Sequence, residues 1–281
     1  MKFIILAAVI SATQALLFPD LSLNWSNLRV SWYANPFSSW GFDNVPRSLD
    51  DNKEMFTLKD DQCADGGQKF VGQRFWYKND PAVILLFDKN GIIAGIQTSA
   101  PKAKFTPYGE LTKYYVDDGD YWTLTAYFVD PSTVCTTGRT KDDLKSQGTG
   151  TGLWLQYGPN PLTNSVQIPV NEADVKSTKW GFGKCFYTMG QHYWYNVSKS
   201  MDCGSFVPNC LLYNKGKLTG FCFATNADLS SQRYDSPAPT PEVVNKFLDP
   251  VPDCFFTDKS YAKLSTVHVY FADNPQLTSF C

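Results

Sequence analysis

Two histidines, His192 and His268, are the side chains of this sequence best suited to acid–base, hydrogen-bonding or metal chemistry near neutral pH. Two histidines exclude a three-histidine metal site, and the sequence has no Cys-x-x-Cys pair of the kind found in zinc knuckles and thioredoxin-like redox centres. The sequence templates of serine hydrolases, zinc proteases, P-loops and dinucleotide-binding folds are also absent. We therefore predict no metal site, no required cofactor and no enzymatic activity.

Two further runs resemble ligand-binding loops but favour structural interpretations. Residues 148–152 alternate glycine with threonine, but they lead into a strand pattern rather than a helix N-terminus, so we interpret them as a linker. Residues 117–120 include three aspartates, but they lack the spaced ligands of a calcium loop and are typical of a hairpin tip. A hydrolase that uses a carboxylate pair has no local sequence signature and is kept as a less favoured alternative.

The alternation of side chains along a strand places both histidines beside aromatic rings. Residues two apart share a face, which pairs His192 with Trp194 and His268 with Tyr270. The same reasoning applied to an earlier, similar part of the chain completes the set of candidate ligand-binding residues: Arg74, Trp76, Tyr127, His192, Trp194, His268 and Tyr270. These residues would line an aromatic pocket in which histidine or arginine binds a polar end group. The alternative is half-buried histidines that are satisfied by backbone groups.

An internal repeat would position these residues. Three pairs of segments match in the same order: 72–77 with 190–195, 85–95 with 211–220, and 127–130 with 270–273. We predict a first β repeat over 16–145 and a second over 146–281, with insertions near 196–208 and 227–260.

Each repeat has the pattern of antiparallel strands. Residues 82–87 and 92–98 are β-rich runs around a turn at 88–91, whereas 241–248 is the best candidate for a short helix. Strand pairs with one apolar face must bury it. We expect a mainly β fold of two pseudo-equivalent antiparallel repeats, packed as one sandwich-like unit and stabilised by disulfides.

Eight cysteines fit an extracellular disulfide framework. Positional equivalence between the repeats predicts two bonds, a hairpin between two cysteines predicts a third, and the remaining cysteines give the fourth. The pairs are, in that order, Cys63–Cys135, Cys185–Cys281, Cys210–Cys222 and Cys203–Cys254.

The beginning of the chain has the features of a secretory signal. Lys2 precedes an apolar run at 3–10 that is too short to span a bilayer, and small residues lead up to Ala15. We expect a signal peptide over 1–15 and a secreted, extracellular protein without a membrane span. Asn24 and Asn196 begin glycosylation sequons. The 25 basic and 27 acidic residues nearly balance, which argues against a nucleic-acid partner.

Part of the sequence resembles a family of secreted invertebrate proteins that has no established general activity. The resemblance is carried by four stretches: GKCF at 183–186, MGQHYWYN at 189–196, LLYN at 211–214 and STVHVYF at 265–271. The chain is also similar to the blue carotenoproteins of sponges. This resemblance implies a glycosylated protein that binds a long apolar pigment as a homo- or heterodimer, and it transfers no pigment-binding residues to this chain.

The leading hypothesis is a secreted glycoprotein that binds a carotenoid- or lipid-like molecule in an aromatic-lined pocket between the two repeats. The aromatic content of 15% and the shortage of catalytic motifs favour it. An extracellular carbohydrate-binding or interaction module is the alternative, because exposed Trp and Tyr rings also stack on sugars.

Overall fold

The computed structural model describes residues 25–32, 41–235, 240–259 and 263–281. The signal peptide predicted at 1–15 and the sequon at Asn24 lie outside these residues. Within them the protein is mainly β, as the sequence predicts, with antiparallel pairing throughout both of its sheets.

The strands and helices of the described residues are short. The strands are β1 (Arg29–Val30), β2 (Asp43–Asn44), β3 (Phe56–Asp61), β4 (Gln73–Tyr77), β5 (Asp80–Phe87), β6 (Ile93–Pro101), β7 (Val116–Asp118), β8 (Tyr121–Tyr127), β9 (Leu153–Gln156), β10 (Ser165–Ile168), β11 (Trp180–Phe186), β12 (Gly190–Tyr195), β13 (Asn209–Asn214), β14 (Lys217–Thr225) and β15 (Ser265–Tyr270). The helices are α1 (Pro131–Val134), α2 (Lys141–Gln147), α3 (Pro161–Asn164), α4 (Glu172–Val175), α5 (Pro241–Val244), α6 (Cys254–Thr257) and α7 (Pro275–Thr278), with 3₁₀ turns at Lys53–Met55, Gly109–Lys113 and Cys203–Ser205.

The strands form two sheets that exchange their first strands. The seven-stranded sheet has the order β11-β12-β13-β14-β15-β1-β2, and the eight-stranded sheet has the order β10-β9-β8-β6-β5-β4-β3, with β7 paired to β8. Strands β1 and β2 therefore join a sheet built mainly from residues after 180. Strands β9 and β10, which fall in the second predicted repeat, join the sheet of the first. This exchange joins the two predicted repeats through backbone hydrogen bonds within each sheet.

The largest hydrophobic cluster contains side chains from both sheets. Phe128, which follows β8, packs edge-to-face on Phe271, which follows β15, with ring centroids 5.4 Å apart. Trp25 stacks on Phe271 at 3.9 Å. Each large side chain removed from water in this way contributes roughly 1.5–3 kcal/mol. The inner side of each sheet is therefore committed to packing.

The four disulfides predicted from the sequence are confirmed: Cys63–Cys135, Cys185–Cys281, Cys203–Cys254 and Cys210–Cys222. The third joins the two insertions of the second repeat. The last links β13 to β14, where Cys210 and Cys222 are direct cross-strand partners.

Candidate functional site

The outer face of the seven-stranded sheet, which points away from the largest cluster, carries both histidines. Along β15, Val267 and Val269 belong to the largest cluster, so His268 and Tyr270 point the other way. On β12, Trp194 belongs to a second, smaller cluster on this outer face. The alternation inferred from the sequence thus gives the correct face for these residues.

Helix α5 and the turn after it, residues 240–248, cover this outer face. Proline at the first helical position favours a helix start there, and the hydrogen bonds of the segment extend to Leu248. The carbonyl oxygen of Phe247 accepts hydrogen bonds from Trp194 Nε1 at 3.0 Å and from the backbone N–H of Lys184 at 3.1 Å. These bonds fix the end of the cover to β11 and β12, at one edge of the sheet.

A cavity of about 400 Å³ lies between the sheet and this cover. Its walls are largely apolar and are formed by Trp32, Phe186, Met189, Trp194, Cys222, Val243, Val244, Phe247, Leu248 and Leu264. Its polar lining is His192, His268, Asp235, Thr266 and Lys246. Small-molecule sites commonly combine such a wall with a few polar groups, at volumes of roughly 300–1,000 Å³.

His192, which lines this cavity, has one ring nitrogen without a partner among the described residues. Its Nδ1 lies 3.1 Å from the carbonyl oxygen of Lys184 and 3.2 Å from that of Gly190. Since a carbonyl oxygen only accepts hydrogen bonds, Nδ1 carries the proton and Nε2 carries a lone pair. Nε2 is buried and has no hydrogen-bond partner among the described residues. Burial, with a smaller effect of His268, lowers the pKa of His192 to about 3, so its ring stays neutral.

His268 is held in a similar way by a carboxylate. Its Nδ1 lies 2.8 Å from Asp235 Oδ2, so Nδ1 donates to Asp235, and Nε2 makes no hydrogen bond to the part of the chain that the structure describes. The ring centroids of the two histidines are 6.4 Å apart. Ring nitrogens of both histidines and Cys210 Sγ lie within 4.8 Å of one another. Because Cys210 is disulfide-bonded, it offers no thiolate.

Tyr270 borders this site without lining the cavity. It is 1% exposed, its ring stacks on His268 with centroids 6.2 Å apart, and it packs on Phe42. Burial raises its pKa well above the ordinary value, so its hydroxyl stays protonated. That hydroxyl has no hydrogen-bond partner in the described part of the chain.

The other candidate residues, Arg74, Trp76 and Tyr127, lie on the eight-stranded sheet and do not line the cavity. Arg74 is 1% exposed and donates to Asp60, Asp118 and Gln97 rather than to a ligand. The hydroxyl of Tyr127 accepts from the backbone N–H of Val71 and donates to Gln156. Both polar groups are therefore satisfied within the fold.

Trp76 is half-buried and also lies on the eight-stranded sheet. It packs on Tyr121 with ring centroids 5.6 Å apart, and Lys59 Nζ lies 4.8 Å from the centre of its ring. The structure thus brings together His192, Trp194 and His268, with Tyr270 beside them, and separates them from the candidates of the first repeat.

Sequence reasoning did not find Asp235 or the residues of the cover. They lie in the insertion predicted at 227–260, where the helix candidate at 241–248 was the one available signal. Alternation identifies side chains that share a strand face, but it gives no information about a segment that folds back over that face.

Asn196 follows β12 directly and is exposed, with a φ of 50°. The left-handed backbone turns the chain away from the strand, so Asn196 does not continue the face of His192 and Trp194. Strict alternation would place Asn196 on the covered face of the histidine, where a glycan could not reach solvent. The turn at Asn196 avoids this.

Comparison with protein-family models, with curated proteins and with solved structures finds no match to this chain. Among the described residues, no helix has both the length and the apolar character needed to cross a membrane. The interpretation of the site therefore rests on its own geometry.

Proposed function

We propose that this protein is a secreted glycoprotein that binds an apolar small molecule in the cavity beneath residues 240–248. The observation that carries the proposal is an apolar cavity of about 400 Å³ with an unpaired, buried imidazole nitrogen in its wall. An apolar ligand would gain about 25 cal/mol for each Å² of its surface removed from water. A polar end at His192 and His268 would fix its orientation.

The cavity volume restricts the size of the ligand. About 400 Å³ is near the lower end of the range for small-molecule sites, so the cavity fits a compact lipid-like molecule or one end of a longer polyene. We therefore place the proposed pocket on the outer face of the second predicted repeat and not at the contact between the two repeats. Trp32 is the residue of the first predicted repeat that lines it.

The same proposal includes two pseudo-equivalent halves, and the strand registers support it. Arg29 pairs with Tyr270 across β1 and β15, and Trp154 pairs with Tyr127 across β9 and β8. Tyr127 and Tyr270 are matching residues of the sequence repeat. The two halves thus begin with strands exchanged in the same register, as expected for one sandwich-like unit.

The test is binding of N-phenyl-1-naphthylamine, a neutral dye whose fluorescence rises in apolar surroundings. We expect saturable binding of one dye per chain and its displacement by long-chain alcohols. Val243→Trp, which would fill the cavity, should reduce the affinity at least tenfold. Asn245→Trp adds the same ring to an exposed position of the same segment and should leave the affinity unchanged. Equal dye binding by both variants would place the binding site elsewhere.

Trp76 and Tyr121 form a candidate surface for the carbohydrate-binding alternative. Their rings are inclined at 57° to each other, and Lys59 already lies over both. A sugar would have to displace this ammonium group, so this surface supports the alternative less well than the cavity supports the apolar ligand.

A further inference from the structure

Each of the two imidazoles uses Nδ1 in a hydrogen bond and has an Nε2 lone pair that accepts none from the described residues. Nδ1 of His192 is used by backbone carbonyls and Nδ1 of His268 by Asp235, so both free lone pairs belong to Nε2 atoms beside one cavity. Two donor side chains of the described lining are already used, because Thr266 donates to the carbonyl oxygen of Asp235 and Trp194 donates to that of Phe247. A metal ion is an electrophile that two neighbouring imidazole lone pairs can bind together.

The hydrogen bonds behind the rings are those of metal-ligating histidines. Such a histidine usually donates its second ring N–H to a backbone carbonyl or a carboxylate, which fixes the tautomer and the ring orientation. His192 has the carbonyl form of this support, and His268 has the carboxylate form.

The distances and charges are compatible with one shared ion. Two nitrogens on one tetrahedral zinc ion, each about 2.1 Å from it, are about 3.4 Å apart. The ring nitrogens of His192 and His268 lie within 4.8 Å of each other. The two rings would therefore have to approach by about 1.4 Å at most. Asp235 supplies a negative charge behind His268, whereas Lys246 is exposed at the rim.

We propose that Nε2 of His192 and Nε2 of His268 bind a zinc- or copper-class transition-metal ion at the wall of the cavity. Imidazole is a preferred donor for both metals, and affinity for divalent ions is highest for copper. The Cys210–Cys222 disulfide leaves the two imidazoles as the protein's ligands, so the remaining coordination positions face the cavity. A water molecule or a ligand oxygen would occupy them.

The expectation from the sequence was that no metal site exists, because three histidines are absent and no Cys-x-x-Cys pair is present. The fold changes this expectation by bringing together residues 76 positions apart. The proposal does not rest on the apolar-ligand function, since an ion can bind whether or not an organic molecule does.

Metal uptake by the folded chain is the test. Because the sequence has only these two histidines, any histidine-bound ion must be held by them. We expect equilibrium dialysis to give one Zn²⁺ per chain, and electron paramagnetic resonance of bound Cu²⁺ to show two equivalent nitrogens. His192→Gln and His268→Gln should each weaken Zn²⁺ binding at least tenfold. Asp235→Asn should weaken it about tenfold through loss of the supporting charge. Asn245→Gln, at an exposed position of the same segment that does not line the cavity, should leave it unchanged.

Imidazole ¹⁵N resonances of the wild-type protein provide a test that needs no variant. Addition of Zn²⁺ should shift Nε2 of both histidines together, at one equivalent. The proposal is overturned if the wild-type protein takes up no ion, if the shifts occur at one ring alone, or if the double His→Gln variant binds Zn²⁺ as tightly as wild type. Dye binding that persists in the metal-free protein would keep the two proposals separate.

Discussion

The outer faces of the two sheets each carry a buried polar side chain, and they accommodate it in different ways. On the eight-stranded sheet, Arg74 lies opposite Leu86 and its guanidinium fills the face, held by Asp60, Asp118 and Gln97. On the seven-stranded sheet, His192 lies opposite Leu212, and a cavity remains beside its ring. One face is closed by a buried ion network, and the other retains a cavity beneath residues 240–248.

The difference follows from side-chain reach and from the covering segment. A guanidinium on a long stem reaches two carboxylates at once, and its planar donors suit them. An imidazole is shorter, and its backbone partners hold it near the sheet. Residues 240–248 then roof the second face at a distance, which leaves the cavity between them. The comparison teaches that one face position can either complete a core or form a binding site, depending on what covers it.

Removal of Arg74 should have the largest effect, because it breaks the closed face. In Arg74→Leu the carboxylate of Asp118, which is mostly buried, loses its main partner, and such a loss costs about 3–5 kcal/mol. His192→Leu, at the corresponding place on the open face, removes about one hydrogen bond and an already unpaired atom, so we expect a cost of about 1 kcal/mol. Urea unfolding of both variants measures this difference. Equal losses of stability would contradict the contrast between the faces.

Acid should destabilise the open face through His192. The pKa of this ring is lowered from 6.5 to about 3, mainly by burial, so below pH 6.5 the unfolded chain binds a proton that the folded chain does not. Stability is then lost as pH falls, by about 1.4 kcal/mol per unit between pH 6 and 4. The measurement is the difference between wild type and His192→Gln across this range, because other groups titrate in both. A parallel pH profile for the two proteins would show that His192 is not buried and neutral.

The closed face has its own acid response, from Asp118. Burial opposes ionisation of this carboxyl, but the hydrogen bond and charge of Arg74, with help from Lys59 and Thr123, outweigh it and lower its pKa. Its contribution is present above the unfolded pKa and is lost as pH falls through the folded one. This loss should therefore occur at lower pH than the loss from His192 and should persist in His192→Gln.

Substitution of Lys59 should have the smallest effect. Its Nζ lies 3.5 Å from Asp118 Oδ1 and 4.8 Å from the centre of the Trp76 ring, at the border of the closed face. Lys59→Met keeps most of the stem and should cost about 0.5–1 kcal/mol. Lys102→Met is the control, since Lys102 makes a similar ring contact with Trp122 and an ion pair with the more exposed Asp117. A loss near that of Arg74→Leu would mean that Lys59, rather than Arg74, closes the face.

Much of the fold follows from short-range patterns in the sequence. The turn at 88–91 and the alternation of β12 and β15 are local features, and they give the β5–β6 hairpin and the outward direction of His192 and His268. Two of the disulfides follow from equivalent positions in the predicted repeat, a third follows from a hairpin, and the fourth joins the two remaining cysteines. These predictions need no knowledge of distant contacts beyond the repeat itself.

The site depended on contacts that no local pattern contains. Arg74 was expected to bind a ligand, but Asp60 and Asp118 reach it from β3 and from the β7–β8 hairpin. Asp235 supports His268 across 33 residues, from a segment without strand or helix periodicity. Tertiary packing decides which partners reach a polar side chain. It places Arg74 in a buried ion network and leaves His268 beside a cavity.

The central claim, that one outer face is open to apolar molecules and the other is closed, can be tested with xenon. Apolar cavities large enough for a small molecule bind this gas. A crystal structure of the protein under xenon pressure should show xenon density between His192 and Phe247 and none beside Arg74. Absence of xenon from the histidine face, or its presence at the arginine face, would contradict the account.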